Sequence, residues 1–190
     1  MMKNLTAANQ LTILRMLLIP AFVILLVYGY RGWALVTFFT AGVTDLLDGL
    51  IARSTGQKTE LGAWLDPMAD KLLLVTMFIV LTLPNIGSAN QLPLWFTILV
   101  ISRDVAIVAT VAVFNLAVGP RTFRPSIFGK LATATYILTG VVTLYFNYLD
   151  RASGVVTAMI YASLAITVVS AAHYGWQVIR LTNSGQHSGS

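Results

Sequence analysis

Six apolar runs separated by short polar turns leave this chain few folds to choose from. They are Leu11–Tyr30, Gly32–Leu50, Leu61–Leu83, Leu94–Leu116, Leu131–Tyr148 and Val155–Val178. Each is near the roughly 20 residues that an α-helix needs to cross the hydrocarbon core of a bilayer. The breaks carry turn chemistry: "YGYRGW", "RSTGQKTE", "LPNIGSANQLP", "AVGPRTFRPS" and "NYLDRASG". Only 10% of the residues are charged and 57% are hydrophobic, whereas roughly a quarter of a soluble domain is charged. The expectation is an all-α, polytopic integral membrane protein with six transmembrane helices. A single domain over residues 1–182 would be followed by a disordered polar tail at 183–190. The first run is too long for a secretory signal peptide, and no small-residue cleavage site follows it. The chain has no cysteine, which excludes disulfides and thiolate metal sites.

Orientation follows from the basic residues in the loops. With the N-terminus inside, one side of the membrane holds Lys3, Arg53, Lys58, Arg121, Arg124, Lys130 and Arg180, and the other only Arg31 and Arg151. Both termini are therefore expected in the cytoplasm. The net charge of +5 suits anionic lipid and an anionic substrate. No soluble basic domain is present to bind nucleic acid.

Against this oily background, acidic residues are concentrated. The chain has seven, and Asp45, Asp48, Glu60, Asp66 and Asp70 all fall in the stretch "TDLLDGLIARSTGQKTELGAWLDPMADK". Glu60 sits in a turn and reads as a solvated residue. Asp45 and Asp48 are three apart and Asp66 and Asp70 four apart, so each pair shares a helix face. The short turn between them makes the two helices antiparallel neighbours, whose four carboxylates converge near the membrane surface. Each carboxylate inside the membrane costs roughly 2.5–3.5 kcal/mol on insertion scales, so a cation must neutralise them. An all-oxygen ligand set points to a hard ion, Mg²⁺ or Mn²⁺, and four carboxylates can hold two. Two such ions suit phosphoryl displacement. A small cation transporter is the alternative of another class, although carboxylates at the surface instead of the midplane do not suit it.

The pattern D-x-x-D-G-x-x-A-R, eight residues, then G-x-x-x-D-x-x-x-D is filled by Asp45, Asp48, Gly49, Ala52, Arg53, Gly62, Asp66 and Asp70. It resembles the signature of the CDP-alcohol phosphatidyltransferases, also called CDP-alcohol phosphotransferases, whose fold has six transmembrane helices. The resemblance implies that Asp45, Asp48, Asp66 and Asp70 are metal ligands for two divalent ions, with Asp70 also the base for the acceptor hydroxyl. It implies that Gly49, Ala52 and Gly62 let a cytidine nucleotide approach the helix backbones, and that Arg53 meets a phosphate. Small residues permit such approach, and a guanidinium forks onto phosphate oxygens. Upstream, Asn9, Thr12 and Arg15 in "NQLTILR" resemble the family's N-x-x-T-x-x-R start, which contacts the nucleotide.

Further along, Arg103 and Asp104 lie in an otherwise apolar run, and intramembrane ionisable residues mark function by default. Arg103 is expected to bind the acceptor's phosphate, with Arg121, Arg124 and Lys130 completing a basic pocket; a mutual Arg103–Asp104 pair is the other reading. Pro67 predicts a local kink. His173 reads as an interfacial, hydrogen-bonded residue, and Tyr174 and Trp176 as part of an aromatic belt.

The segments "LTILRMLLIP" and "LGAWLDPMADKLLL" are most similar to the glycerol branch of the family. That branch comprises phosphatidylglycerophosphate synthases and CMP-forming cardiolipin synthases. The implied donor is CDP-diacylglycerol, with the acyl chains left in membrane lipid. The basic residues favour glycerol 3-phosphate as acceptor, while "ISRD" and "HYG" are closer to a cardiolipin synthase using phosphatidylglycerol. The resemblance further implies a homodimer in a bacterial inner membrane, and the distribution of basic residues puts the carboxylate stretch on the cytoplasmic side.

Overall fold

The structure, a computed structural model, describes residues 7–55, 60–86, 88–118 and 127–186. Among these it forms α1 (Ala7–Val27), α2 (Arg31–Thr55), α3 (Glu60–Thr82), α4 (Leu94–Val118), α5 (Ile127–Tyr148) and α6 (Gly154–Gln186), with a 3-10 turn at Pro84–Ile86. Every apolar run has become one helix, as it must where no water satisfies backbone amides and carbonyls. Among the described residues, three stretches are long and apolar enough to cross a membrane by length and composition: Gln10–Val27, Ile127–Tyr148 and Gly154–Ala172. Helix α3 runs unbroken through Pro67. Helix α6 continues through Gln186 into the segment expected as a polar tail, and residues 187–190 lie outside the described residues.

Two of the turns close in the same way. At the end of α1, Tyr30 N–H donates to Leu25 O and Gly29 N–H to Leu26 O, with Gly29 at φ 79°. At the end of α5, Arg151 N–H donates to Phe146 O and Asp150 N–H to Asn147 O, with Asp150 at φ 51°. Both are Schellman caps, which satisfy the last carbonyls of a helix through one left-handed residue.

The chain divides into two compact units, Met1–Pro93 with Thr143–Ala152, and Leu94–Val142 with Ser153–Ser190. In the first, α1 packs on α2 and α3. Its core includes Phe22, Leu26, Ala34, Phe38, Met77 and Phe78, all 5% exposed or less, and the rings of Phe22 and Phe38 lie 5.7 Å apart. Buried Asn147 ties the α3–α4 connection to the end of α5. Its Oδ1 accepts from Asn90 N at 2.7 Å, and its Nδ2 donates to Asn90 O at 3.0 Å.

In the second unit, Phe96 meets Tyr136 edge to face at 6.2 Å. A polar seam joins α5 to α6: Thr139 Oγ1 lies 2.9 Å from Ser163 Oγ, and Tyr136 OH bonds Thr167 Oγ1. Such hydroxyl pairs are the usual glue between helices where lipid removes the hydrophobic incentive to associate. In both units large apolar side chains such as Leu17, Ile24, Trp33, Ile98 and Val168 are exposed. Apolar exposure on this scale belongs against lipid, and the molecule is an integral membrane protein.

Candidate active site

The buried stripe of each of the first three helices changes from apolar to polar at the same end of the first unit. On α1, Phe22 and Leu26 share a face with Arg15 and Thr12, which are both completely buried. On α2, the stripe Ala34, Phe38, Ala41 continues into Thr44 and Asp48. On α3, Asp66 and Asp70 precede buried Leu73 and Met77 by whole helical turns. Helical periodicity thus delivers the carboxylates to the polar end of one packed core.

Thr12 and Arg15 between them touch all four motif carboxylates. The Arg15 guanidinium places Nη1 3.1 Å from Asp45 Oδ1 and 2.5 Å from Asp70 Oδ1, while Nη2 pairs with Asp48 Oδ2. Thr12 Oγ1 donates to Asp66 Oδ1. The α2 pair and Asp70 of α3, far apart in sequence, therefore share one cation. The carboxylates are not equivalent. The side chains of Asp45 and Asp70 are 40% exposed, whereas that of Asp48 is 5% exposed. Asp45 and Asp70 are partly open, and Asp48 is buried.

The four carboxylates expected to converge are joined here by Thr12 and Arg15, which the family resemblance assigns to the nucleotide. In the structure the hydroxyl of Thr12 and both Nη atoms of Arg15 are engaged by carboxylates. The signal was present as a basic residue one turn from a threonine on the helix preceding the acidic pair. Arg15 Nε is buried and, among the described residues, without a partner.

In the second unit, Arg103 also has its donors engaged. Nη1 lies 2.9 Å from Asp104 Oδ1 and 3.4 Å from Thr133 Oγ1, and Nη2 donates to Gly129 O at 3.0 Å. The guanidinium thus clamps the first turn of α5, where Lys130 is exposed. Thr133 and the Gly129 carbonyl were not anticipated as its partners. Asn9, Gly49, Ala52, Arg53 and Gly62 belong to α1, α2 and α3, but their side-chain positions lie outside the described residues, as does the side chain of His173. Arg121 and Arg124 lie outside them altogether.

The carboxylates suit a divalent ion in kind, being hard oxygen donors with no competing sulfur. Their arrangement does not suit one, since among the described residues no three acidic or histidine side chains are grouped to hold a metal ion. The Arg15 guanidinium stands among them instead, with Asp45 and Asp70 at Nη1 and Asp48 at Nη2, while Asp66 is engaged by Thr12.

Comparison with known proteins identifies the family. Residues 5–169 match the sequence model of the CDP-alcohol phosphatidyltransferase family. The chain is 33% identical over 183 residues to a probable phosphatidylglycerophosphate synthase of Mycobacterium tuberculosis, covering 91% of this chain and 81% of the relative. It is 34% identical over 173 residues to the CDP-diacylglycerol–glycerol-3-phosphate 3-phosphatidyltransferase of Haemophilus influenzae, covering 86% and 88%. The CMP-forming cardiolipin synthase of Homo sapiens is 29% identical over 196 residues, covering 93% of this chain and 64% of that protein. With the family match spanning most of its length and the motif carboxylates gathered around one buried arginine, the chain belongs to the CDP-alcohol phosphatidyltransferase family.

Proposed function

We propose that the protein transfers the phosphatidyl group of CDP-diacylglycerol to glycerol 3-phosphate, releasing CMP and forming phosphatidylglycerophosphate. The observation that carries this reading is the joining of Asp45, Asp48 and Asp70 from two helices by Arg15, with Asp66 held beside them by Thr12. Asp70, partly exposed, takes the proton of the acceptor hydroxyl. That oxygen then forms a bond to the phosphorus bearing diacylglycerol, and the bond from this phosphorus to the oxygen of CMP breaks. Two divalent ions, Mg²⁺ or Mn²⁺, are the cofactors that the motif implies, and they would supply positive charge for the diphosphate. Arg53 and the small residues Gly49, Ala52 and Gly62 are assigned to the nucleotide by their motif positions, with Asn9 beside them. Arg103, Arg121, Arg124 and Lys130 are assigned to the acceptor's phosphate, Arg103 after release of part of its present bonding. Six spans, cytoplasmic termini, a cytoplasmic-side site in the inner membrane and a homodimeric assembly complete the proposal.

Phosphatidylglycerol is the second acceptor to consider, because relatives named for phosphatidylglycerophosphate synthesis and for cardiolipin synthesis both align over most of the chain. The test is CMP release by purified protein in detergent–lipid micelles with CDP-diacylglycerol and Mn²⁺. Glycerol 3-phosphate, phosphatidylglycerol, serine and inositol phosphate are supplied in parallel. Release with glycerol 3-phosphate alone is expected. Release with phosphatidylglycerol alone would replace the acceptor and keep the chemistry, and no release with any acceptor would remove the proposed reaction.

A further inference from the structure

Asp104 is the sole acidic residue in Leu94–Val142 and Ser153–Ser190, the segments that form the second unit. The same segments hold Arg103, Arg121, Arg124 and Lys130, the cations assigned above to the acceptor's phosphate. Asp104 is set directly on one of them. Its Oδ1 lies 2.9 Å from Arg103 Nη1, with the Arg103 and Asp104 side chains 14% and 21% exposed. Nη2 of the same guanidinium is held on Gly129 O at 3.0 Å, one residue before Lys130. Charges this far out of water are screened less than charges on an open surface. The first turn of α5 has no acidic residue of its own. Within this unit, Asp104 is therefore the fixed negative charge that an anion approaching Arg103 and Lys130 meets. A pocket shaped only for strong anion binding gains nothing from a carboxylate there. It does gain discrimination, because the repulsion grows with the charge of the ligand. A phosphomonoester such as glycerol 3-phosphate carries close to two negative charges above its second pKa of roughly 6, and a phosphodiester carries a single one.

We propose that Asp104 is a specificity-determining residue: it offsets the charge of Arg103 and so narrows the preference for a phosphomonoester over a phosphodiester acceptor. The proposal rests on the assignment of Arg103 and Lys130 to the acceptor's phosphate. It adds that the carboxylate bonded to Arg103 sets how much negative charge the pocket favours.

The test measures CMP release from CDP-diacylglycerol while glycerol 3-phosphate or its phosphate methyl ester is varied. The two differ by one negative charge at a pH well above roughly 6. Apparent affinity is read as KM where the compound is an acceptor. Where it is not, affinity is read as an inhibition constant with phosphatidylglycerol as acceptor. Asp104→Asn removes the charge and keeps an oxygen that accepts from Arg103, so the guanidinium stays in place. It should bind glycerol 3-phosphate about fivefold more tightly, the scale of one partly exposed charge pair. The methyl ester should bind only about twofold more tightly, because the Coulomb interaction scales with charge. KM for CDP-diacylglycerol should not move. Asp104→Glu keeps the charge and should keep the wild-type ratio of the two affinities. Asp104→Ser, a second neutral variant, carries the test if Asp104→Asn does not fold. A neutral variant that changes both affinities equally or not at all, or that binds glycerol 3-phosphate more weakly, would overturn the proposal and leave the acceptor pocket standing. Lys130→Gln should weaken glycerol 3-phosphate more than its ester. Affinities unchanged in both Lys130→Gln and Arg103→Gln would remove the acceptor pocket itself, and the proposal with it.

Discussion

Asp48 and Asp70 are the same residue type in two different surroundings, and the difference should separate stability from chemistry. Asp48 is buried beside buried Arg15. Asp48→Asn removes one partner of a buried ion pair, a change that costs about 3–5 kcal/mol. The lower end is expected because Arg15 keeps Asp45 and Asp70, and a denaturation series in detergent measures it. Asp70 is 40% exposed on its side chain. Asp70→Asn preserves shape and should cost less than Asp48→Asn, because its side chain is partly exposed and buried Arg15 keeps Asp45 and Asp48. CMP release should nevertheless fall by roughly 10²–10⁴-fold, the contribution of a general base. Full activity in Asp70→Asn would show that another group takes the proton. The identity of these carboxylates was legible because their three- and four-residue spacing places each pair on one helix face. Their unequal burial was not, since spacing says nothing about which turn of a helix a neighbour covers.

The connections between elements combine strong and weak local solutions. Gly29 and Asp150 occupy equivalent left-handed positions in the caps of α1 and α5. Glycine reaches that conformation without a Cβ penalty, so Gly29→Ala should lower stability by about 1 kcal/mol. Asp150 carries the penalty but pairs with Arg31 at 2.6 Å on the surface. Asp150→Gly exchanges the two effects and should lie within about 1 kcal/mol of wild type; thermal midpoints of both variants check the contrast. Between helices, Tyr136→Phe removes the bond to Thr167. Thr167 Oγ1 still donates to Ser163 O at 2.7 Å, so no buried donor is orphaned and a loss of only about 0.6 kcal/mol is expected, typical of bonds between membrane helices. A measured loss above about 2 kcal/mol would mean that the seam acts as a unit. Turn residues marked where the helices end, whereas the partners of Tyr136 and Thr139 could not be assigned before α5 and α6 were seen side by side.

For the whole molecule, the distribution of basic residues predicts both termini in the cytoplasm. A green fluorescent protein fused after Ser190 should fluoresce in a bacterial host, and alkaline phosphatase at the same place should be inactive. The reverse pattern would put the carboxylate site on the opposite face of the membrane. The outward apolar surface that makes this a membrane protein also explains why the tertiary arrangement was hard to foresee. Lipid-facing and protein-facing positions are both apolar, so the difference in polarity that identifies the buried face of a soluble helix is weak here.

By itself the sequence determined the class of molecule, the helical course of each apolar run and the identity of the carboxylate cluster. All three follow from local quantities: run length against bilayer thickness, turn residues, and spacing along one helix. Tertiary structure decided which residues meet across helices. It set Arg15 and Thr12 against the carboxylates, turned Arg103 toward the first turn of α5, and closed Asn90 on Asn147. The physical reason is that helix periodicity orders side chains around one axis, while the pairing of polar groups on different axes depends on packing that only the assembled helices specify.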